Sequence, residues 1–334
     1  MMSTIQEREY HKPRWLALYA PVATEMMAAE EVLRSELQSE DPFVDQLVKH
    51  AFRLGGKRLR PALLLLAAKA AGNVTRDHIV LAAVVEMIHT ATLVHDDVLD
   101  EATLRRHSET INALNDNEAS VLVGDFLFTH AFSLAASLET TFACQTIGRS
   151  TNIVCAGELR QIHSRGNYSL SEVEYLSIIE GKTAELCACC CRLGAHYADA
   201  PATIEDAFDR YGRYLGIAFQ IADDLLDLVG EESQAGKSLG TDLEKQKPTL
   251  PLIQLLATCS EVDQHEILAL CNRDSTEARH ALASRMEHAG AFDYARRRAE
   301  EYAAHAFAEL KVVPDSPAKQ VLAELTRLVV SRRE

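Results

Sequence analysis

From about residue 21 to residue 331 apolar side chains recur at helical spacing, and no alternating run of β-branched residues bounded by hairpin turns interrupts them. Helices are predicted over roughly 21–37, 43–54, 59–71, 76–100, 118–137, 141–165, 171–198, 203–229, 248–258, 261–272, 276–289, 291–310 and 316–331. The breaks carry turn residues, with Asp41-Pro42, Gly72-Asn73, Gly166-Asn167, Ala200-Pro201 and Pro314-Asp315 the clearest. Ser171 and Glu174 have capping-box spacing at the start of one long helix. A chain patterned in this way should be all-α, a bundle of long helices around a central cavity. Composition agrees, since 47% of residues are hydrophobic and only 6% aromatic, with Ala and Leu supplying most of the apolar content. No linker divides the chain, so we expect one domain over 1–334 with residues 1–20 as an N-terminal extension. The one long polar connection, residues 230–247, contains glycines and is of a length more often functional than idle.

A net charge of −15 argues against a nucleic-acid partner, because neutralising phosphates takes clustered Lys and Arg. Eight cysteines without a secretion signal fit a reducing cytoplasm. Cys187, Cys189, Cys190 and Cys191 are crowded, but they lie in an Ala/Leu-rich helical stretch without a second pair at finger spacing. We read them as small core thiols. No unbroken apolar run reaches the roughly 18 residues of a membrane span. Lys69 interrupts the best candidate, Pro61–Ala71, so membrane contact should be peripheral at most.

Asp96, Asp97 and Asp100 spell DDVLD at the end of an apolar helical stretch. At about 100° per residue, Asp96 and Asp100 share a helix face one turn apart, where two carboxylates repel unless a cation lies between them. One such cluster could be a solvated helix end. The spacing recurs, however, as Asp223, Asp224 and Asp227 in FQIADDLLD, again among apolar residues. Two acidic stripes converging across a bundle cavity could hold a small Mg²⁺ cluster, whose charge then calls for a strongly anionic ligand such as a diphosphate. Candidate cations for that anion are Arg105 and Arg106, just past the first cluster; Lys57, Arg58 and Arg60 in GGKRLRP; and Lys182, Lys237 and Lys247.

Taken together, these residues make the chain similar to the trans-polyprenyl diphosphate synthases, in particular the bacterial octaprenyl and solanesyl type. The motifs that carry the resemblance are GGKRLRP at 55–61, HTATLVHDDVLDEATLRR at 89–106, VGDFLFTHAF at 123–132, GELRQ at 157–161 and GKTAEL at 181–186. They continue with YGRYLGIAFQIADDLLD at 211–227, GKSLGTDLEKQKPTLPLI at 236–253 and VVPDSP at 312–317. The resemblance implies an isoprenoid-synthase bundle, a homodimer, and Mg²⁺, three ions per site, held by Asp96, Asp97, Asp100, Asp223, Asp224 and Asp227. It implies that Lys57, Arg60, His89 and Arg106 hold isopentenyl diphosphate. Arg105, Lys182, Lys237 and Lys247 would hold the allylic diphosphate, with Thr183 and Gln220 beside the developing cation. Two departures stand out: His107 and Gln246 occupy positions where the family usually has Gly.

The implied reaction joins isopentenyl diphosphate to a growing allylic diphosphate, giving a long polyprenyl diphosphate for quinone side chains. The catalytic set would be Asp96, Asp97, Asp100, Arg105, Lys182, Asp223 and Asp224, with residues 230–247 closing over the site. A terpene cyclase would replace the second DDxxD, and a silent regulatory subunit would lose a cluster or the basic residues. Product length should depend on bulk below the first cluster. Ala91 and Thr92, five and four residues before Asp96, are small, and Phe132 is the candidate floor, or else a core phenylalanine.

Overall fold

The computed structural model describes residues 18–53, 56–106, 108–229, 241–273 and 275–331. After a 3₁₀ turn at Ala20–Val22 come α1 (Ala23–Glu36), α2 (Pro42–Arg53), α3 (Leu59–Ala71) and α4 (Arg76–Leu99). Next are α5 (Ile111–Leu114), α6 (Asn117–Ala136), α7 (Phe142–His163), α8 (Glu172–Ile179), a π turn (Glu180–Ala184), α9 (Glu185–His196) and α10 (Ala202–Val229). The described chain continues through α11 (Thr241–Glu244), α12 (Leu250–Thr258), α13 (Glu261–Cys271), α14 (Thr276–His288), α15 (Ala291–Glu309) and α16 (Pro317–Val330). The all-α expectation holds, and most predicted ends fall within two residues of the observed ones.

The core explains the pattern. Residues Ala62 to Ala68 of α3 have no accessible surface, because α3 is walled in by α4, α9 and α16. A helix apolar on every side must lie inside such a bundle. One apolar cluster joins α1, α3, α4, α6, α9 and the first half of α10. A second gathers α8, the last part of α10, α12 and α15. The 28-residue α10 belongs to both and carries its acidic end to the edge of the second. Cys187, Cys189, Cys190 and Cys191 are buried free thiols, as core packing requires.

Three local features depart from the sequence reading. Leu104–Arg105 pairs antiparallel with Ser108–Glu109, a ladder of two residue pairs too short to show alternation. The helix expected over 171–198 is broken by the π turn, an insertion with no signature in the hydrophobic pattern and one often found at functional sites. The search for unbroken apolar runs also missed α4 and α6, whose mean hydropathies of 1.5 and 1.4 suffice, by length and composition alone, for crossing a membrane. In α4, 72% of that window is buried against neighbouring helices, which is how a core helix of a bundle passes the same criterion; in α6 the share is 33%.

Candidate active site

Asp96 and Asp97 lie in the last turn of α4, and Asp100 caps it, so three carboxylates crowd the negative end of the helix dipole. Asp97, 2% exposed, accepts a hydrogen bond from Arg105 Nε at 2.8 Å and forms an ion pair with Arg105 Nη2 at 2.7 Å. Desolvation raises its pKa and Arg105 pulls it back. Asp96 has less help. Desolvation lifts it from 3.8 to about 6; Lys182 opposes the rise, while Glu158 and Asp100 add to it. Lys182 Nζ itself bonds Glu158 Oε2 at 2.5 Å. Asp100 goes the other way, because Lys247 and Lys245 outweigh its desolvation and hold it below 3.8.

The second cluster sits near the C-terminal end of α10. Asp224 accepts from Tyr175 Oη at 2.6 Å and Gln220 Nε2 at 2.8 Å, and Gln220 Oε1 in turn accepts from Thr183 Oγ1 at 2.7 Å. Burial, with Asp242 and Asp223 nearby, still drives Asp224 up to about 8. Asp227 accepts from Thr241 Oγ1 and the Asp242 amide, both at 3.1 Å, which fastens α11 to α10. Asp223 is half-buried on the same stretch.

Two bridges bring the clusters together. Lys247 Nζ stands 3.4 Å from Asp100 and 3.7 Å from Asp242, whose amide bonds Asp227. On the other side, Lys182 faces Asp96 while its neighbour Thr183 bonds Gln220, which bonds Asp224. Among the described residues no three His, Cys, Asp or Glu side chains are yet gathered to hold a metal ion. The donor set nevertheless fits a hard divalent cation. It is all carboxylate oxygen, at the negative ends of two helices, and burial raises the pKa values of Asp96 and Asp224, with neighbouring carboxylates adding to the rise.

Beneath the first cluster lies a basic wall. Arg60 Nη1 and His89 Nε2 are 2.9 Å apart. Desolvation and then Arg60, Arg106, Arg105 and Arg58 hold His89 well below its usual pKa, so the ring is neutral. Arg60 Nε is buried without an acceptor, a spare donor suited to an anion. The Arg106 guanidinium lies so close over Gly56 that a side chain at 56 would collide with it, and Lys57 is exposed next door. Arg58 does not belong with the anion-binding cations. Its guanidinium is engaged by Glu30 at 2.6 Å and the buried Glu86 at 2.5 Å, a pairing that ties α1 to α4.

Lys237 and His107 lie outside the described residues, as does the 230–240 part of the connection expected to close the site. Gln246 has φ +51, the left-handed region that favours glycine, which gives a physical reason for the usual Gly at this position. Ala91 is fully buried one turn below His95, on the side of α4 that meets α6. Thr92 bonds the His89 carbonyl at 2.7 Å, and Phe132 is partly buried with its ring edge at Gly148 of α7.

Sequence reasoning missed Glu158, Arg165, Tyr175, Asp242 and Lys245. Glu158 stood inside GELRQ, and Asp242 and Lys245 inside GTDLEKQK, so motif membership could have flagged them. Arg165 and Tyr175 carried no signal. A cleft of about 450 Å³ opens on the far side of the π turn, between Arg149, Gly181 and Arg213. Its acids Glu180, Glu185 and Asp209 are already paired to Arg213, and none of the six motif aspartates lines it.

The π turn reaches the aspartates because α7 has Gly157 beneath it. A Cβ there would come within 2.5 Å of the Lys182 amide nitrogen and 2.9 Å of the Gly181 carbonyl carbon. Gly157→Ala should therefore cost about 1–3 kcal/mol of stability and lower turnover by displacing Lys182. Urea denaturation and kcat measure both, and unchanged values would show that the turn can retreat freely.

Comparison with known proteins gives a consistent picture. A family model described as "Polyprenyl synthetase" matches residues 41–287. The chain is 36% identical over 313 residues to the octaprenyl diphosphate synthase of Escherichia coli K12, covering 93% of this chain and 96% of that protein. The crystal structure of a decaprenyl diphosphate synthase from Rhodobacter capsulatus superposes with a TM-score of 0.90 at 35% identity, covering 96% of this chain and 99% of that one. The polyprenyl synthase of Caulobacter crescentus CB15, solved in complex with calcium and isoprenyl diphosphate, has a TM-score of 0.90 at 34% identity, covering 96% and 98%.

Proposed function

This chain belongs to the polyprenyl synthetase family, and from that membership we propose how its residues elongate an allylic diphosphate with isopentenyl diphosphate. It is a long-chain trans-prenyltransferase. The observation that carries the site assignment is the meeting of the two aspartate clusters through Lys182, Gln220 and Lys247. Asp96, Asp97, Asp100, Asp223, Asp224 and Asp227 would hold Mg²⁺, three ions in all, which supply positive charge to the leaving diphosphate.

Arg105, Lys182 and Lys247 line the same space, with Lys237 assigned by motif, and stabilise the negative charge that grows as the allylic C–O bond breaks and the electron pair leaves with the diphosphate. Lys57, Arg60, His89 and Arg106 grip isopentenyl diphosphate so that its double bond attacks the allylic carbon. Neutral His89 accepts or donates without adding charge. The Thr183–Gln220–Asp224 chain fixes the Gln220 amide beside the developing cation. Loss of a proton, accepted by the released diphosphate, restores the alkene. The apolar walls of α4 and α6 exclude water that would otherwise trap the cation.

We read the whole chain as one such domain, acting in the cytoplasm as a homodimer with at most peripheral membrane contact for its apolar product. Exposed Val121 and Leu122 on α6 support a partner at that face. The retention of both aspartate clusters and the basic wall speaks against a cyclase or a silent subunit. The primer in this reading is farnesyl or geranylgeranyl diphosphate, and the product is octaprenyl-like.

Product sizing tests the length assignment. Ala91→Phe should shorten the main product toward three or four isoprene units, and Phe132→Ala should lengthen it. A Phe132→Ala enzyme that is destabilised by roughly 3–5 kcal/mol yet makes the parent product would mark Phe132 as core packing only. Lys57→Ala should raise KM for isopentenyl diphosphate more than for the allylic substrate, by about tenfold or more for a lost charge-assisted bond. The reverse order would exchange the two diphosphate sites.

A further inference from the structure

We propose that Arg165 and Lys245 are further diphosphate-binding residues on the allylic side of the site, an assignment that rests on the functional reading above. The backbone brings them together. Arg165 follows the C-cap of α7, and the next amide, Gly166 N, donates to the Gln246 carbonyl at 2.8 Å. That bond joins the end of α7 to the segment after α11, so two residues 80 positions apart in sequence face one carboxylate oxygen. Asp100 Oδ1 has Lys245 Nζ at 3.2 Å, Arg165 Nη2 at 3.3 Å and Lys247 Nζ at 3.4 Å.

Three cations on one oxygen is a poor fit as a finished structural pairing. A charge-assisted bond runs about 2.7–2.9 Å, the range that Arg105 reaches on Asp97 at 2.7 and 2.8 Å. All three contacts to Asp100 are longer, and one oxygen offers only two lone pairs. Arg165 Nε is moreover buried without any acceptor. Lys247 has a second carboxylate, Asp242, at 3.7 Å, whereas Asp100 is the only carboxylate paired with Arg165 or Lys245 among the described residues. Asp100 Oδ1 thus faces more donors than it has lone pairs, and with side chains 26–28% exposed both groups can reach a ligand. A diphosphate supplies what is missing: several acceptor oxygens, each charged. With Asp100 serving as a ligand of a divalent cation, Arg165 and Lys245 would be left to bond the diphosphate oxygens.

The test is calorimetric titration of inorganic pyrophosphate with Mg²⁺ into the full chain, compared with Arg165→Gln, Lys245→Gln and Arg165→Lys, alongside KM for both substrates. Each glutamine variant should bind pyrophosphate about tenfold or more weakly and raise KM for the allylic diphosphate by a similar factor. KM for isopentenyl diphosphate and the thermal midpoint should hold, and Arg165→Lys should recover most of the loss. Unchanged pyrophosphate affinity in both glutamine variants would overturn the proposal. So would a loss matched by an equal shift in KM for isopentenyl diphosphate and a lower midpoint, since that identifies a structural clamp on Asp100. The predicted pyrophosphate losses in the glutamine variants, together with a wild type that extends no allylic diphosphate, would remove prenyl transfer and leave both residues as diphosphate ligands.

Discussion

Asp96→Ala is expected to lower turnover by at least about a hundredfold, the order lost when one preorganised electrostatic contact to a developing charge is removed. The fold should survive. Asp96 is desolvated, short of compensating charge and raised to about 6, so its side chain costs stability at neutral pH while no cation is bound. Asp223→Ala should lose activity to a similar degree from the opposite wall. Circular dichroism with steady-state rates separates the outcomes, and near-normal turnover in either folded variant would remove the two-cluster mechanism.

Asp224→Asn should remove the largest loss of stability as pH rises. The folded pKa of Asp224, about 8, lies above its ordinary 3.8, so between those values the folded protein keeps a proton that the unfolded chain has lost. Stability from this group is therefore full below about pH 4, declines as pH rises through the window, and is lowest above about pH 8. Asp96 adds a smaller decline ending near 6. In metal-free buffer the asparagine variant should be more stable than wild type at pH 8 by on the order of a few kcal/mol, because its amide carries no charge. Gln220 can turn its own amide to meet it. A divalent cation should restore the wild type and do little for the variant. A wild type whose thermal midpoint rises with pH from 4 to 8 without metal would contradict the assignment.

Much of this was legible in the sequence because it depends on local periodicity. Helix pattern, caps and breaks are set by residues within a turn or two of one another, and the Ser171–Glu174 capping box forms as its spacing implies. The recurrence of DDxxD likewise reads directly as two acidic helix ends. What stayed hidden depends on contacts between distant segments. Arg58 looked like an anion ligand until Glu30 and Glu86, each 28 residues away, proved to bind it. The π turn packs directly on α7 at Gly157, and no pattern within residues 171–198 announces it. Arg165 and Lys245 meet only because Gly166 bonds Gln246. Gln246 was noted for replacing a glycine, but only its backbone angle shows what that glycine would do.

The most direct test is to incubate the purified chain with Mg²⁺, labelled isopentenyl diphosphate and farnesyl diphosphate, with and without chelator, and to size the products. Our account predicts label in a long polyprenyl diphosphate series, lost with chelator and recovered when Mg²⁺ is restored. Label that stays in isopentenyl diphosphate while farnesyl diphosphate is cyclised, hydrolysed or left untouched would contradict it.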